Sequence, residues 1–150
     1  SLKEIRYCEN SIVNGIFGIY HAKAERAQID FTYKIDVPAE FEQAKDFGFA
    51  TMLSNLLENA FIAVCKVPDS QERKVSVRIE PKKEQLIIEI RNNYFGKLDI
   101  SRETGLPVTD KVDGHGYGLV SVSNYARKSG ALLKFRPEGQ LLVVQYITNL

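Results

Sequence analysis

Phe49-Ala50-Thr51-Met52-Leu53-Ser54-Asn55-Leu56-Leu57-Glu58-Asn59-Ala60-Phe61-Ile62-Ala63-Val64 is the stretch on which the fold turns. Phe49, Leu53, Leu56, Leu57, Ala60, Phe61 and Val64 recur at steps of three and four, the period of a helix. Their stripe is wide enough to lie on a sheet. The pattern spans Asp46 to Val67, and Pro68-Asp69-Ser70-Gln71 supplies the turn that ends it. The flanks supply the sheet. Downstream, Lys74 to Glu80 and Leu86 to Asn92 alternate apolar with polar residues across Pro81-Lys82-Lys83-Glu84, which predicts two adjacent antiparallel strands. Upstream, positions 29, 31, 33, 35 and 37 alternate in the same way before Pro38. Tyr7 to Arg26 carries Ile12, Ile16, Ile19, Tyr20 and Ala24 at helical steps. Beyond Asn93, residues 94 to 114 show neither period and include Gly96, Gly105, Pro107 and Gly114; a loop that long in one domain is usually functional, and it reads as a mobile lid. A helix over Tyr117 to Ser129 ends at Gly130, and a last hairpin turns at Pro137-Glu138-Gly139-Gln140. The order predicts an α+β fold, a two-layer α/β sandwich with helices on one face of a mixed sheet.

Composition limits what such a domain can do. The 150 residues are 44% hydrophobic and 26% charged, the balance of one globular domain. Twenty Lys plus Arg against nineteen Asp plus Glu leave a net charge of +1, too little for a diffuse basic field that would hold nucleic acid or anionic lipid. An anionic ligand must therefore be held locally. No apolar run approaches the roughly 18 residues of a membrane span, and the start lacks the architecture of a signal peptide, so the chain reads as cytosolic. Cys8 and Cys65 fit no disulfide framework or zinc spacing; both are expected as buried or half-buried thiols.

Three clusters carry candidate chemistry. Asn55 and Asn59 stack on one side of the strongest helix, where Asn is a poor helix former; they are either ordinary surface polarity or oxygen ligands for Mg²⁺ and phosphate-bound water. Asn92-Asn93-Tyr94-Phe95-Gly96 leaves a strand, either as an Asn-rich turn or as an amide that reads an adenine edge. Gly114-His115-Gly116-Tyr117-Gly118-Leu119 runs into a helix, either as a hinge or as a cradle whose amides bind an anion. It is neither a Walker loop nor a dinucleotide fingerprint, since no Gly-Lys-Ser/Thr follows and no strand opens a βαβ unit.

In that order, an Asn-x-x-x-Asn-Ala helix, an Asn-bearing strand exit, a long lid and a Gly-x-Gly-x-Gly helix start resemble the Bergerat-fold, or GHKL, ATPase superfamily of gyrases, heat-shock chaperones, histidine kinases and mismatch-repair proteins. Within it the chain is similar to the ATP-binding domain of sensor histidine kinases of the peptide-quorum-sensing type, through Leu53 to Ala60, Thr109-Asp110-Lys111 and His115 to Leu119. The resemblance covers Ile12 to Tyr146. It implies ATP and Mg²⁺ as cofactors, Asn59 as the metal-binding amide and Asn55 facing the same phosphates. It implies Asn93 in place of the aspartate that receives the adenine amino group, followed by Gly96. Gly114, Gly116 and Gly118, with Tyr117 and Leu119 in the same motif, match the phosphate loop, and Lys111 and His115 stand on the lid side. Three positions depart from the pattern: Asn93 replaces a carboxylate, Tyr94 a usual glycine and Ile62 a usual cation, for which Lys66 lies one turn on.

The same resemblance bears on the reaction. Members that hydrolyse ATP carry Glu where Asn55 stands, and Glu58 lies about 100° around the helix from Asn59. Transfer of the γ-phosphoryl group to a histidine is implied instead. Neither His115 nor the helix-surface His21 suits as acceptor. Residues 1–28 are expected as the tail of an upstream dimerisation and phosphoacceptor region, and 29–150 as the ATP-binding domain. The implied setting is the cytoplasmic part of a membrane-anchored bacterial sensor kinase, whose partners are its own acceptor helices and a response regulator. Direct contact with nucleic acid or membrane is not expected, and dimerisation is expected only in the full-length protein. A non-catalytic docking module and an ATP-hydrolysing switch are the alternatives.

Overall fold

Asn10 opens the first helix, α1 (Ser11–Ala27), its side-chain oxygen accepting from the amides of Ile12 and Val13 at 3.1 and 3.0 Å. Gln28, at a left-handed φ of 56°, closes it. The helix therefore starts four residues later than the apolar spacing suggests. Its buried stripe is Val13, Ile16, Phe17, Tyr20 and Ala24, leaving Ile12 and Ile19 exposed. In this computed structural model, residues 6–108 and 116–150 are described.

β1 (Asp30–Ile35) follows, then a short 3-10 helix (Glu42–Lys45) that the sequence did not announce, and α2 (Phe47–Cys65). Asp46 caps α2 by accepting from Gly48 N at 3.0 Å. With 19 residues and a mean hydropathy of 1.3, α2 is apolar enough by length and composition to cross a membrane. Its Phe49, Met52, Leu53, Leu56, Leu57, Ala60, Phe61 and Val64 are instead buried in the shared core. β2 (Lys74–Lys82) and β3 (Gln85–Asn93) form the expected hairpin, turning at Lys83 and Glu84. α3 (Gly116–Ser129) leads to β4 (Leu132–Glu138) and β5 (Leu141–Asn149).

The sheet runs β1-β2-β3-β5-β4, with β1 parallel to β2 and every other pair antiparallel. The parallel pair needs a crossover, and α2 supplies it. Pro81 is tolerated within β2 because it lies beyond Ile79, the last residue of β2 paired with β1. One sheet face carries Val75, Val77, Ile79, Leu86, Ile88, Ile90, Val144 and Tyr146 into the core with the helices. α1 contributes Val13, Phe17, Tyr20 and Ala24 to that core, which therefore spans both sides of residue 28. Cys8 is buried, whereas Cys65, expected to be covered, is exposed at the end of α2.

The open face has its own order. Glu89, only 5% exposed, accepts from Arg78 Nη2 and Gln145 Nε2 at 3.0 Å each and from Arg91 Nε at 3.5 Å. Burial disfavours its charge, but the amide of Gln145 and the guanidinium groups of Arg91 and Arg78 outweigh that and hold its carboxyl below the ordinary value.

Candidate functional site

α2 and α3 pack against each other at the start of α3. A Cβ on Gly118 would sit 3.6 Å from Cγ and Oδ1 of Asn55, so the first turn of α3 lies against that amide. One turn on, Asn59 lines a crevice of about 150 Å³ with Ile62, Ala63 and Lys66 of α2. Tyr94, Phe95, Lys97, Leu98, Pro107 and Val108 from the segment after β3, with Leu142 of β5, complete its lining. The spacing of the two amides is thus read out as one helix face that meets both α3 and the crevice.

The segment after β3 is less shapeless than its sequence. Gly96, at φ +84°, makes the left-handed turn that a side chain resists. Ile100 bridges Pro107 around a turn held by Ser101 N to Leu106 O and Val108 N to Asp99 O, both 2.9 Å. Tyr94 donates its hydroxyl to Gly139 O at 3.2 Å, fastening the crevice wall to the β4–β5 hairpin.

Asn93, the strand-exit amide that the resemblance matches to the adenine contact, is bonded within the chain. Its Oδ1 accepts from Lys74 N at 2.9 Å and its Nδ2 donates to Glu72 O at 2.6 Å, so both ends are spent on the start of β2. On β3 it shares parity with Ile87, Glu89 and Arg91, the face away from the helices. Asn92 points the other way, in line with Leu86, Ile88 and Ile90. It is 2% exposed and is the register partner of Leu142, which lines the crevice. Asn92 thus lies on the core face of β3, beside the strand that brings Leu142 to the crevice.

Of the remaining expected residues, Leu119 is 2% exposed and belongs to the core, so its side chain anchors α3 and is not available to a ligand. Gly116 is the first residue of α3 and Tyr117 the second. Lys111, Gly114 and His115, with Thr109 and Asp110 of the lid, lie outside the described residues. Glu58 cannot serve a reaction beside Asn59, because its Oε2 accepts from Tyr20 Oη at 2.9 Å and Lys23 Nζ at 3.1 Å. Burial first, and that bond second, push the Tyr20 hydroxyl well above the usual tyrosine range. His21 is not a bare surface residue: it contacts Glu25 at 3.1 Å and packs 5.8 Å from the Tyr7 ring centre. Among the described residues no group of three or more His, Cys, Asp or Glu is placed to hold a metal.

Wider hollows lie elsewhere, one beside Phe41 and Phe47 and one beside Phe61 and Cys65, and neither contains an expected site residue.

Comparison with known proteins bears on this arrangement. The family pattern described as GHKL domain matches residues 45–148. The catalytic domain of the histidine kinase ThkA superposes with a TM-score of 0.73 at 16% identity, over 92% of this chain and 90% of that one. The histidine kinase AdeS of Acinetobacter baumannii gives 0.66 at 14% identity, over 93% of this chain and 63% of that one. Full-length ShkA, solved in complex with AMPPNP, gives 0.71 at 16% identity over 99% of this chain but 31% of its own. ThkA is also known in complex with the response regulator protein TrrA, at a TM-score of 0.66 and 13% identity, over 93% of this chain and 40% of that one. No curated protein matches the chain in sequence.

Proposed function

The chain belongs to the GHKL-domain family, and from that premise we propose that it is the ATP- and Mg²⁺-binding catalytic domain of a two-component sensor histidine kinase. It supplies the γ-phosphoryl group to a histidine outside these 150 residues. The observation that carries this reading is the single α2 face on which Asn55 meets Gly118 and Asn59 lines the crevice, beside the sheet face that bears Asn92.

Each residue has a role in that reading. Asn59 holds the metal through its amide oxygen, an oxygen donor of the kind Mg²⁺ takes alongside water and phosphate. The bound Mg²⁺ supplies charge neutralisation at the phosphates. Asn55 faces the same phosphates. At the N-terminal end of α3, Gly116 and Gly118 let backbone amides close on the anion, and Gly114 belongs to the same motif by resemblance. By the resemblance, Lys111, His115 and Tyr117 are assigned to the phosphates and the strand exit at Asn92-Asn93, with Gly96 after it, to the base. Two features oppose hydrolysis: an amide occupies position 55, and the Glu58 carboxylate is engaged by Tyr20 and Lys23.

The upstream partner is the protein's own phosphoacceptor helices and the downstream one a response regulator. The domain sits on the cytoplasmic side of a membrane-anchored bacterial sensor, of the peptide-quorum-sensing type by its Leu53–Ala60 and His115–Leu119 segments. The complex of ThkA with TrrA supports a regulator as partner, and the AMPPNP complex of ShkA supports the nucleotide.

Titration with a fluorescent ATP analogue, with and without Mg²⁺, tests the reading. Saturable binding that Mg²⁺ strengthens, that Asn59→Ala weakens about tenfold or more, and that is accompanied by slow phosphate release is the expected result. Absence of saturable binding up to millimolar nucleotide would overturn it. The crevice favours one second reading, a docking module without nucleotide, because 150 Å³ walled by Tyr94 is small against the roughly 300 Å³ or more of ordinary ligand sites.

A further inference from the structure

The hollow between α1 and α2 has the size and the chemistry of a small-molecule site. It encloses about 450 Å³, within the roughly 300–1,000 Å³ of ordinary ligand sites, whereas the crevice beside Asn59 encloses about 150 Å³. Among the described residues Ile62 alone lines both, so the two are separate places. Phe61 and Ile62 of α2, Ala27 of α1 and Ile29 beyond it give the hollow an apolar lining.

Two polar ties join the helices around it. Lys23 Nζ donates to Glu58 Oε2 at 3.1 Å, and Tyr20 Oη reaches the same oxygen at 2.9 Å. A turn or two further along each helix, Arg73 donates from Nη1 to Ala27 O at 3.4 Å and from Nη2 to Cys65 O at 3.3 Å. The same guanidinium donates from Nε to Val67 O at 2.9 Å and pairs with Asp69 at 2.7 Å. A hollow bounded in this way exists before a ligand arrives, which lowers the ordering cost of binding.

Charge decides what it takes. Lys23 and Glu58 are spent on each other. Arg26, in the last turn of α1, lines the same hollow and has no ion pair or hydrogen bond among the described residues, so one uncompensated positive charge stands beside an apolar lining. A guanidinium accepts a carboxylate through two parallel bonds. An inorganic anion would leave the apolar lining in water, and a neutral hydrocarbon would leave the guanidinium unused. We propose that the hollow binds a small organic anion with an apolar body, of the class of medium-chain or aryl carboxylates, its carboxylate on Arg26 and its body against Phe61, Ile62 and Ala27. This site stands apart from the nucleotide reading, and neither depends on the other.

Cys65 makes the test direct, because its thiol lies in the hollow and is exposed while Cys8 is buried. Decanoate serves as the probe and decanol as its uncharged counterpart. The rate at which iodoacetamide alkylates Cys65, followed by mass spectrometry, should fall saturably with decanoate, by about tenfold once the site is filled. Half-protection by decanol should need a concentration about threefold or more higher. Arg26→Gln should remove that difference and leave the melting temperature unchanged, since Arg26 bonds to nothing else among the described residues. Alkylation that decanoate does not slow saturably in the unaltered chain rules out the site. Equal protection by the two probes in the unaltered chain, or a preference for decanoate that survives Arg26→Gln, rules out Arg26 as the partner of the anion and the proposal with it.

Discussion

Gly48 shows how one missing side chain sets the distance between two helices. A Cβ there would lie 2.4 Å from Cε1 of Tyr125, well inside contact distance. The ring would have to move, and with it the bond from Tyr125 Oη to Asp46 Oδ2 at 3.3 Å, which joins α3 to the residue that caps α2. Burial, and next the charge of Asp46, raise the Tyr125 hydroxyl far above its usual range, so that bond is made by a neutral donor. Gly48→Ala should destabilise the fold by about 1–3 kcal/mol despite the better helix propensity of Ala. Thermal unfolding measures it, and a second change, Tyr125→Ala, should shrink the penalty. Asn92→Ala belongs to the same scale: in the nucleotide reading it should weaken ATP-analogue binding by about 1–3 kcal/mol, and loss of its buried bond to Asn93 O should lower the melting temperature as well. Unchanged affinity in that titration would show that the base lies elsewhere.

Strand parity puts Asn92 and Asn93 on opposite faces of the sheet, and it was present in the sequence. Leu86, Ile88 and Ile90 are apolar at even positions of β3, so the same face continues at 92, while Glu89 and Arg91 mark 93 as belonging to the other face. In α1, Ile16, Tyr20 and Ala24 are buried as the spacing predicts, whereas Ile12 and Ile19 stay exposed and Val13 and Phe17 complete the stripe. Which of two overlapping stripes is buried depends on the aromatic partners, Phe31 at 5.9 Å from Phe17 and Phe61 at 5.1 Å from Tyr20, and those come from distant elements. Arg73 is the hub that no local pattern announces. Its guanidinium receives no help from sequence neighbours other than Asp69, and it reaches carbonyls at the ends of two helices. Arg73→Ala should cost about 2–3 kcal/mol in urea denaturation, and Arg73→Lys should recover little of it, because a single ammonium lacks the planar fork that serves several acceptors.

At pH 7 the molecule carries a net charge of only +1, so near neutrality its response to pH comes from particular groups and not from self-repulsion. Glu89 is the clearest of them. Its folded carboxyl titrates below the ordinary value near about 4.3, so around that pH the unfolded chain binds more protons and stability rises with pH. The contribution is complete above the unfolded value and is lost as pH falls through the folded one. Glu89→Gln should lower stability at pH 7 by about 1–3 kcal/mol and flatten the acid limb of the stability curve; denaturation at pH 7 and at pH 3 reads both, and parallel curves for the two proteins would exclude it. By itself the sequence determined the helices, the strands, the mixed two-layer sandwich and the pairing of Asn55 with Asn59, because local periodicity follows from where apolar side chains must point. Only the tertiary structure decided that β1 runs parallel to β2, that Leu119 serves the core and that Glu58 is taken by Tyr20 and Lys23. Those outcomes depend on which distant surfaces meet, and contacts across 35 or more residues leave no trace in local spacing.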